Sequence, residues 1–296
     1  MYSLLLNFAV LPAFIKTITA CPQHDFHGHS LNKRAGGTQD WTYEASYNWG
    51  MVNSNYTTCQ TGTTQSPIQL LLTQGLSQAH LPSFSTSTYS SVPGTLSNWG
   101  YGPAFSVSSS SSTHPSSNTT SDSSSSSAPS FTYLDANNQN TTLYLKGWHI
   151  HAPADHSVQG DRAKAELHLV HTDSSGAEAG VIAIRIDPGN ADSPFFSQIL
   201  PSTSSSSNTT SLPGFDSQET IPMDMDVYQA LREVNLFSDF WTYMGSLTSP
   251  PCTEGIRWWV ARNTLFVGNR QMREILGVST FSARVEQEVW LHGINV

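Results

Sequence analysis

Apolar residues along this chain recur mostly at alternate positions, in short runs separated by turn-forming residues. The runs 142–151 (TTLYLKGWHIH with its first residue at 141), 165–171 (AELHLVH), 180–187 (GVIAIRID) and 256–261 (IRWWVA) have the length and β-branched or aromatic content of strands. Helix-period patterning is sparse. It predicts short helices over 192–200, 226–235 and 269–276, the last with a polar start and spaced apolar residues. No repeat is visible. The pattern predicts a mainly β single domain: a large central, mostly antiparallel twisted sheet with a few short peripheral helices.

Two segments break the alternation. Residues 106–130 (SVSSSSSTHPSSNTTSDSSSSSAPS) and 201–211 (PSTSSSSNTTS) are Ser-rich and almost free of apolar side chains. Such stretches cannot bury enough surface to offset ordering, so they read as loop insertions rather than core. Strand-like runs flank the first one, which places it between two strands of one sheet.

The N-terminus carries an apolar run from Leu4 to Ile15 that is too short to span a bilayer. It ends at Ala20 in a loose small-residue cleavage pattern, so residues 1–20 read as a signal peptide. The dibasic pair Lys33–Arg34 ends a possible propeptide, 21–34, and the domain proper is 35–296. Asn-x-Ser/Thr sequons at Asn55, Asn118, Asn140 and Asn208 are candidate glycosylation sites. The expectation is a secreted, extracellular protein without a membrane span.

Charge narrows the partners. The formal net charge is −9, and only 12% of residues are charged. A pI near 5.6 without any basic cluster argues against a nucleic-acid or anionic-membrane surface. Of three cysteines, Cys21 leaves with the propeptide. That leaves Cys59 and Cys252 as one disulfide in an oxidising compartment.

The chemistry concentrates in GWHIHAPADHS, residues 147–157. On a strand, His149 and His151 share one face, about 6.5–7 Å apart at Cα, with Trp148 and Ile150 on the other. Alone, that is a weak signal, and it fits a polar strand face better than a metal site. In KAELHLVH, Glu166, His168 and Val170 share a face and Leu167, Leu169 and His171 the opposite one. Antiparallel pairing of the two strands lets His168 complete a set of three imidazoles. Glu166 then stands where it can accept a hydrogen bond from His168. His171 and His156 read as structural. In GSLTSPPCTEGIRWWV, Thr248 precedes a Ser-Pro-Pro run whose backbone is too constrained for a strand centre.

Taken in order and spacing, WHIHAPADH, AELHLVH, GSLTSPPCTEGIRWWV and the earlier QSPIQL at 65–70 resemble the α-class carbonic anhydrases, of the secreted eukaryotic, fungal-like kind. The resemblance covers about 41–284, with the Ser-rich segments as insertions. It implies zinc held by His149, His151 and His168, with Glu166 behind the third ligand. It implies reversible hydration of CO2 to bicarbonate and a proton by zinc-hydroxide attack, with weak esterase activity. CO2 and bicarbonate are then the small-molecule partners.

The resemblance assigns Thr248 and Asp155 to catalysis, the Thr248 hydroxyl donating to the Asp155 carboxylate while orienting the nucleophile. It places Val170, Val181, Leu247, Ile256 and Trp258 along an apolar CO2 pocket, and it matches Cys59–Cys252 to the disulfide of secreted members.

Three positions depart from the family pattern. Asp155 stands where a glutamate is usual, Gly147 stands where a glutamine backs the first ligand, and Pro103 or Tyr101 stands where fast members carry a proton-shuttle histidine. His114, inside the first Ser-rich segment, is a poor substitute. Other HxH proteins fit less well. Metallo-β-lactamase-type hydrolases lack the two extra residues before Asp155–His156, and cupins need a second histidine motif that is absent here. The competing class is a non-catalytic, carbonic-anhydrase-like extracellular binding module. Against it, all three histidines and Thr248 are present.

Overall fold

The computed structural model describes residues 40–108, 128–200, 212–215 and 217–296. The expected signal peptide and propeptide, Cys21, the Lys33–Arg34 pair, His114, the sequons at Asn118 and Asn208, and segment 201–211 lie outside the described residues.

In chain order the strands are β1 (Gln69–Leu70), β2 (Ser83–Phe84), β3 (Val92–Asn98), β4 (Pro103–Val107), β5 (Ser130–Leu134), β6 (Asn140–His151) and β7 (Ser157–Val158). They continue with β8 (Asp161–Arg162), β9 (Ala165–Thr172), β10 (Glu178–Gly189), β11 (Ile221–Met225), β12 (Phe240–Ser246), β13 (Glu254–Ala261) and β14 (Leu265–Gly268). Eleven of them form one sheet with the path β11-β3-β4-β6-β9-β10-β13-β12. In addition β14 pairs with β10, β2 with β5, and β5 with β6. Within this sheet pairing is antiparallel except where β10 meets β13 and β14; β1, β7 and β8 form a separate small sheet. The three expected helices form as Pro194–Ser197, Tyr228–Glu233 and Asn269–Gly277, all short.

Period-2 alternation sorts the side chains of the central strands onto two faces. Trp148 and Ile150 of β6, Leu167 and Leu169 of β9, and Ile182 and Ile184 of β10 are fully buried in the larger apolar cluster. Each such side chain contributes roughly 1.5–3 kcal/mol through burial. A one-residue slip would exchange the faces, so this cluster also fixes the register that aims the histidines the other way. The opposite face carries a smaller cluster that includes Val181, Ala183, Trp241, Tyr243, Ile256 and Trp258.

The expected boundaries of the first Ser-rich insertion need correction at both ends. Ser106 and Val107 finish β4, paired with Thr95 and Gly94. Ser130 opens β5 opposite Tyr144, and Ala128 and Pro129 are buried. Their backbone groups find partners in an existing ladder, so serine composition alone does not exclude them from it. β4 and β5, which flank the insertion, both pair with β6.

Cys59 and Cys252 form a disulfide, Cα atoms 5.1 Å apart across 193 residues of chain. It is buried with Tyr43 and Trp49. Among the described residues, no helix is long and apolar enough to cross a membrane.

Candidate metal centre

Strand pairing assembles the site. β6 and β9 run antiparallel with His149 opposite His168 and His151 opposite Glu166. One ring nitrogen from each of His149, His151 and His168 lies within 4.8 Å of the others. His151 and His168 are buried, and His149 is partly exposed. Burial lowers the pKa of both strand-β6 imidazoles. His149 falls well below the ordinary value, with the neighbouring imidazoles adding to the effect. On His151, Asp155 pulls the other way without reversing it. Neutral rings keep a lone pair for a cation.

The outer hydrogen bonds decide which nitrogen faces inward. His151 Nδ1–H donates to the Ser282 carbonyl at 2.6 Å, leaving its Nε2 lone pair for the centre. His168 Nε2–H donates to Glu166 Oε1 at 2.8 Å, which frees Nδ1. His149 differs. Its Nε2 lies 3.0 Å from Nε2 of His151, while its Nδ1 is buried with no partner among the described residues. A proton between the two Nε2 atoms would hold only that pair; a cation holds all three rings. The three-imidazole donor set fits zinc, which in catalytic sites takes three protein ligands and one exchangeable one.

Glu166 does more than back His168. It is fully buried and also accepts from His156, at 2.8 Å from the backbone N–H and 2.6 Å from Nδ1–H. Burial by itself would raise its pKa. The His156 imidazole and the hydrogen bonds from His156 and His168 outweigh that and hold the carboxyl well below the usual carboxylate range. His156 Nε2 is hydrogen-bonded to the Tyr243 hydroxyl at 2.7 Å, and Tyr243 donates to Ser66 Oγ at 2.9 Å.

His156, expected to be merely structural, thus links the carboxylate behind a ligand to β12. Its position directly after Asp155 was the only local signal. Tyr243, Ser66 and Ser282 carried none, since each partner lies far away along the chain. His171 is structural as expected. It sits between the Tyr89 hydroxyl, 2.6 Å from Nε2, and the Leu169 carbonyl at 2.9 Å, and burial lowers its pKa to about 3.

Asp155 is completely buried. Its Oδ1 accepts the Arg284 backbone N–H at 2.8 Å. Its Oδ2 lies 3.6 Å from His151 Nε2 and has no hydrogen-bond partner. The expected Thr248-to-Asp155 hydrogen bond is therefore not formed, consistent with a side chain one methylene shorter than glutamate. Thr248 itself is buried in the turn between β12 and β13, where Leu247 N–H donates to the Thr253 carbonyl and Cys252 N–H to that of Ser249. Arg284 ties this region together. Its guanidinium donates to the carbonyls of Ser66 and Cys59 and to Gln65 Oε1, at 2.7, 3.0 and 2.9 Å.

The five residues expected to wall a CO2 pocket gather on the same sheet face. Val181, Ile256 and Trp258 are buried in one apolar cluster, and Val170 and Leu247 pack against it. The Trp258 ring lies 5.0 Å from that of His168, so the wall abuts the histidines. Both positions weighed for a proton shuttle, Tyr101 and Pro103, carry groups that do not exchange protons near neutral pH. The other described histidines, His80, His156, His171 and His292, are buried.

Comparison with known proteins agrees with this architecture. The profile of the eukaryotic-type carbonic anhydrases matches residues 44–290. A carbonic anhydrase of Klebsiella pneumoniae is 28% identical over 235 residues, 78% of this chain and 80% of its own length. Dioscorin DB3L of Dioscorea polystachya is 30% identical over 230 residues, 76% of this chain and 71% of its own. Among solved structures, the α-carbonic anhydrase of Photobacterium profundum shares the fold with a TM-score of 0.62 at 21% identity, over 86% of this chain and 99% of that one. This chain belongs to the eukaryotic-type carbonic anhydrase family.

Proposed function

We propose that the protein is a zinc-dependent carbonic anhydrase that interconverts CO2 with bicarbonate and a proton. The observation that carries this reading is the convergence of three imidazoles, within 4.8 Å of one another, against an apolar wall. His149, His151 and His168 would hold the zinc, which would supply acidity by lowering the pKa of a bound water towards about 7, an established property of carbonic anhydrases rather than a deduction from this chain.

The remaining work falls to the chain's own side chains. Ser282 and Glu166 fix the tautomers of His151 and His168. Val170, Val181, Leu247, Ile256 and Trp258 offer a nonpolar substrate a dry surface from which a charged product leaves readily. Thr248, buried in the turn between β12 and β13, orients the attacking oxygen through its hydroxyl. With no shuttle histidine at Tyr101 or Pro103, the proton leaves to external buffer, and that step limits turnover when buffer is scarce. Weak hydrolysis of activated esters would use the same site.

Secretion is part of the proposal. It is supported by the disulfide and by the exposure of Asn55 and Asn140, the two sequon asparagines among the described residues. The test is CO2 hydration by protein of measured zinc content. A family member acting only as a binding module would hold zinc and give no rate above the uncatalysed one.

A further inference from the structure

The turn joining β3 to β4, Trp99–Gly102, is unusually well anchored. Asn98 Nδ2 donates to the carbonyls of Pro213 and Val278 at 3.0 and 2.8 Å, and its Oδ1 accepts from Gly100 N–H at 2.9 Å. Trp99 N–H donates to the Gly102 carbonyl, and Thr280 N–H to that of Tyr101. Gly100, at φ 84°, takes a left-handed conformation that a side chain would strain.

Two rings project from this turn onto two ligand histidines. Trp99 stacks on His149 with centroids 4.8 Å apart and planes at 28°. Tyr101 stacks on His151 at 5.5 Å and 15°. Tyr43 meets both Tyr101 and His151 edge-on.

The three ligands are not held alike. His168 has Glu166 and His151 has the Ser282 carbonyl. Among the described residues, His149 has no acceptor for its outer nitrogen, and Gly147, two residues earlier on the same strand face, has no side chain to offer one. A metal-bound imidazole whose ring is free to turn loses affinity, which is why such rings are normally fixed by an outer hydrogen bond. A face-to-face aromatic neighbour can fix the ring plane instead.

We propose that Trp99 is the positioning residue for His149, its stacked ring taking over the ring-fixing role that the missing hydrogen bond plays at the other two ligands, with Tyr101 doing the same in addition to Ser282 at His151. The inference rests on the metal-centre reading above and extends it to a residue outside the ligand set. Stacking fixes the plane but not the tautomer, so His149 depends on its neighbour more than the other ligands do on theirs. The three should therefore be unequal: loss of the Trp99 ring loosens zinc more than loss of the Tyr101 ring.

The experiment uses the full secreted chain loaded with zinc, mixed with excess dipicolinate, and follows zinc transfer in wild type, Trp99→Leu, Trp99→Phe and Tyr101→Leu. Unfolding of each metal-free protein in denaturant is measured alongside. We expect Trp99→Leu to release zinc about tenfold faster, Trp99→Phe to stay within about twofold of wild type, and Tyr101→Leu to fall between. Adding Gly147→Gln to Trp99→Leu should slow release again by restoring an acceptor.

Release by Trp99→Leu at the wild-type rate overturns the proposal while leaving the metal centre intact. So does equal acceleration in the Leu and Phe variants accompanied by equal loss of metal-free stability, which marks Trp99 as packing only. A wild-type chain that takes up no zinc overturns the metal-centre reading itself, and this one with it.

Discussion

Asp155 Oδ1 receives the Arg284 backbone N–H at 2.8 Å, and the same carboxylate leaves Oδ2 unpaired and completely buried. A buried, unpaired carboxylate oxygen costs free energy unless something completes it. His151 Nε2 lies 3.6 Å from it, and no hydrogen bond joins it to the Thr248 hydroxyl. Asp155→Asn should lower CO2 hydration about 10- to 100-fold at unchanged zinc content, and Thr248→Ala should lower it about 100-fold. Stopped-flow hydration rates with zinc measured on the same samples check both. Asp155→Glu, which returns the missing length, should retain or raise the rate.

Glu166 is the acceptor that turns His168 Nδ1 inward, and it accepts three hydrogen bonds in all. Glu166→Gln keeps the shape but loses the charge. Zinc affinity, read by chelator competition, should fall about 10- to 100-fold. Replacing Tyr243 by Phe, which removes only the far end of the same chain of bonds, should cost less than tenfold.

Acid should weaken the fold in part through His171. Its pKa is about 3 in the folded protein, against about 6.5 in an unfolded chain. A lowered folded value means that the unfolded state binds the extra proton. The contribution is therefore fully present above pH 6.5 and drains away as pH falls towards 3, by up to about 1.4 kcal/mol per pH unit from this group. Glu166, also depressed when folded, loses its own contribution as pH falls below the ordinary carboxylate range. Denaturant unfolding between pH 4 and 7 should show a smaller pH slope in His171→Phe than in wild type, although that variant is less stable at neutral pH because the Tyr89 hydroxyl loses its partner.

The disulfide closes a loop of 193 residues. Loop-closure entropy assigns it about 5 kcal/mol of stabilisation. Cys59→Ser with Cys252→Ser should lower the unfolding free energy by several kcal/mol. It should also lower activity, because the Cys59 carbonyl is one of the groups that hold Arg284, and Arg284 in turn holds Asp155. Denaturation curves and hydration rates on the double variant check the two effects separately.

The three histidines and Glu166 were legible because strand geometry converts spacing directly into facing: two residues apart means one face, and antiparallel pairing does the rest. Glu166 could be read from its place two positions before His168. Ser282, Arg284 and Tyr243 could not, because their partners at His151, Asp155 and His156 are brought close only by tertiary packing. Trp99 was invisible as a neighbour of His149 until the turn after β3 was placed. Ser106 and Val107 were misread for the opposite reason. Serine composition signalled a loop, but pairing with β3 makes both residues strand, and Ser106 pairs with β6 as well.

The most direct test of the central claim is the CO2 hydration rate of wild type and His168→Ala at matched protein concentration, measured across a series of imidazole-buffer concentrations with zinc quantified in each sample. We expect a wild-type rate that needs about one zinc per chain and climbs with buffer, and a His168→Ala protein that has lost both zinc and rate. A wild-type protein full of zinc yet without turnover, or a His168→Ala protein that keeps both, would contradict it.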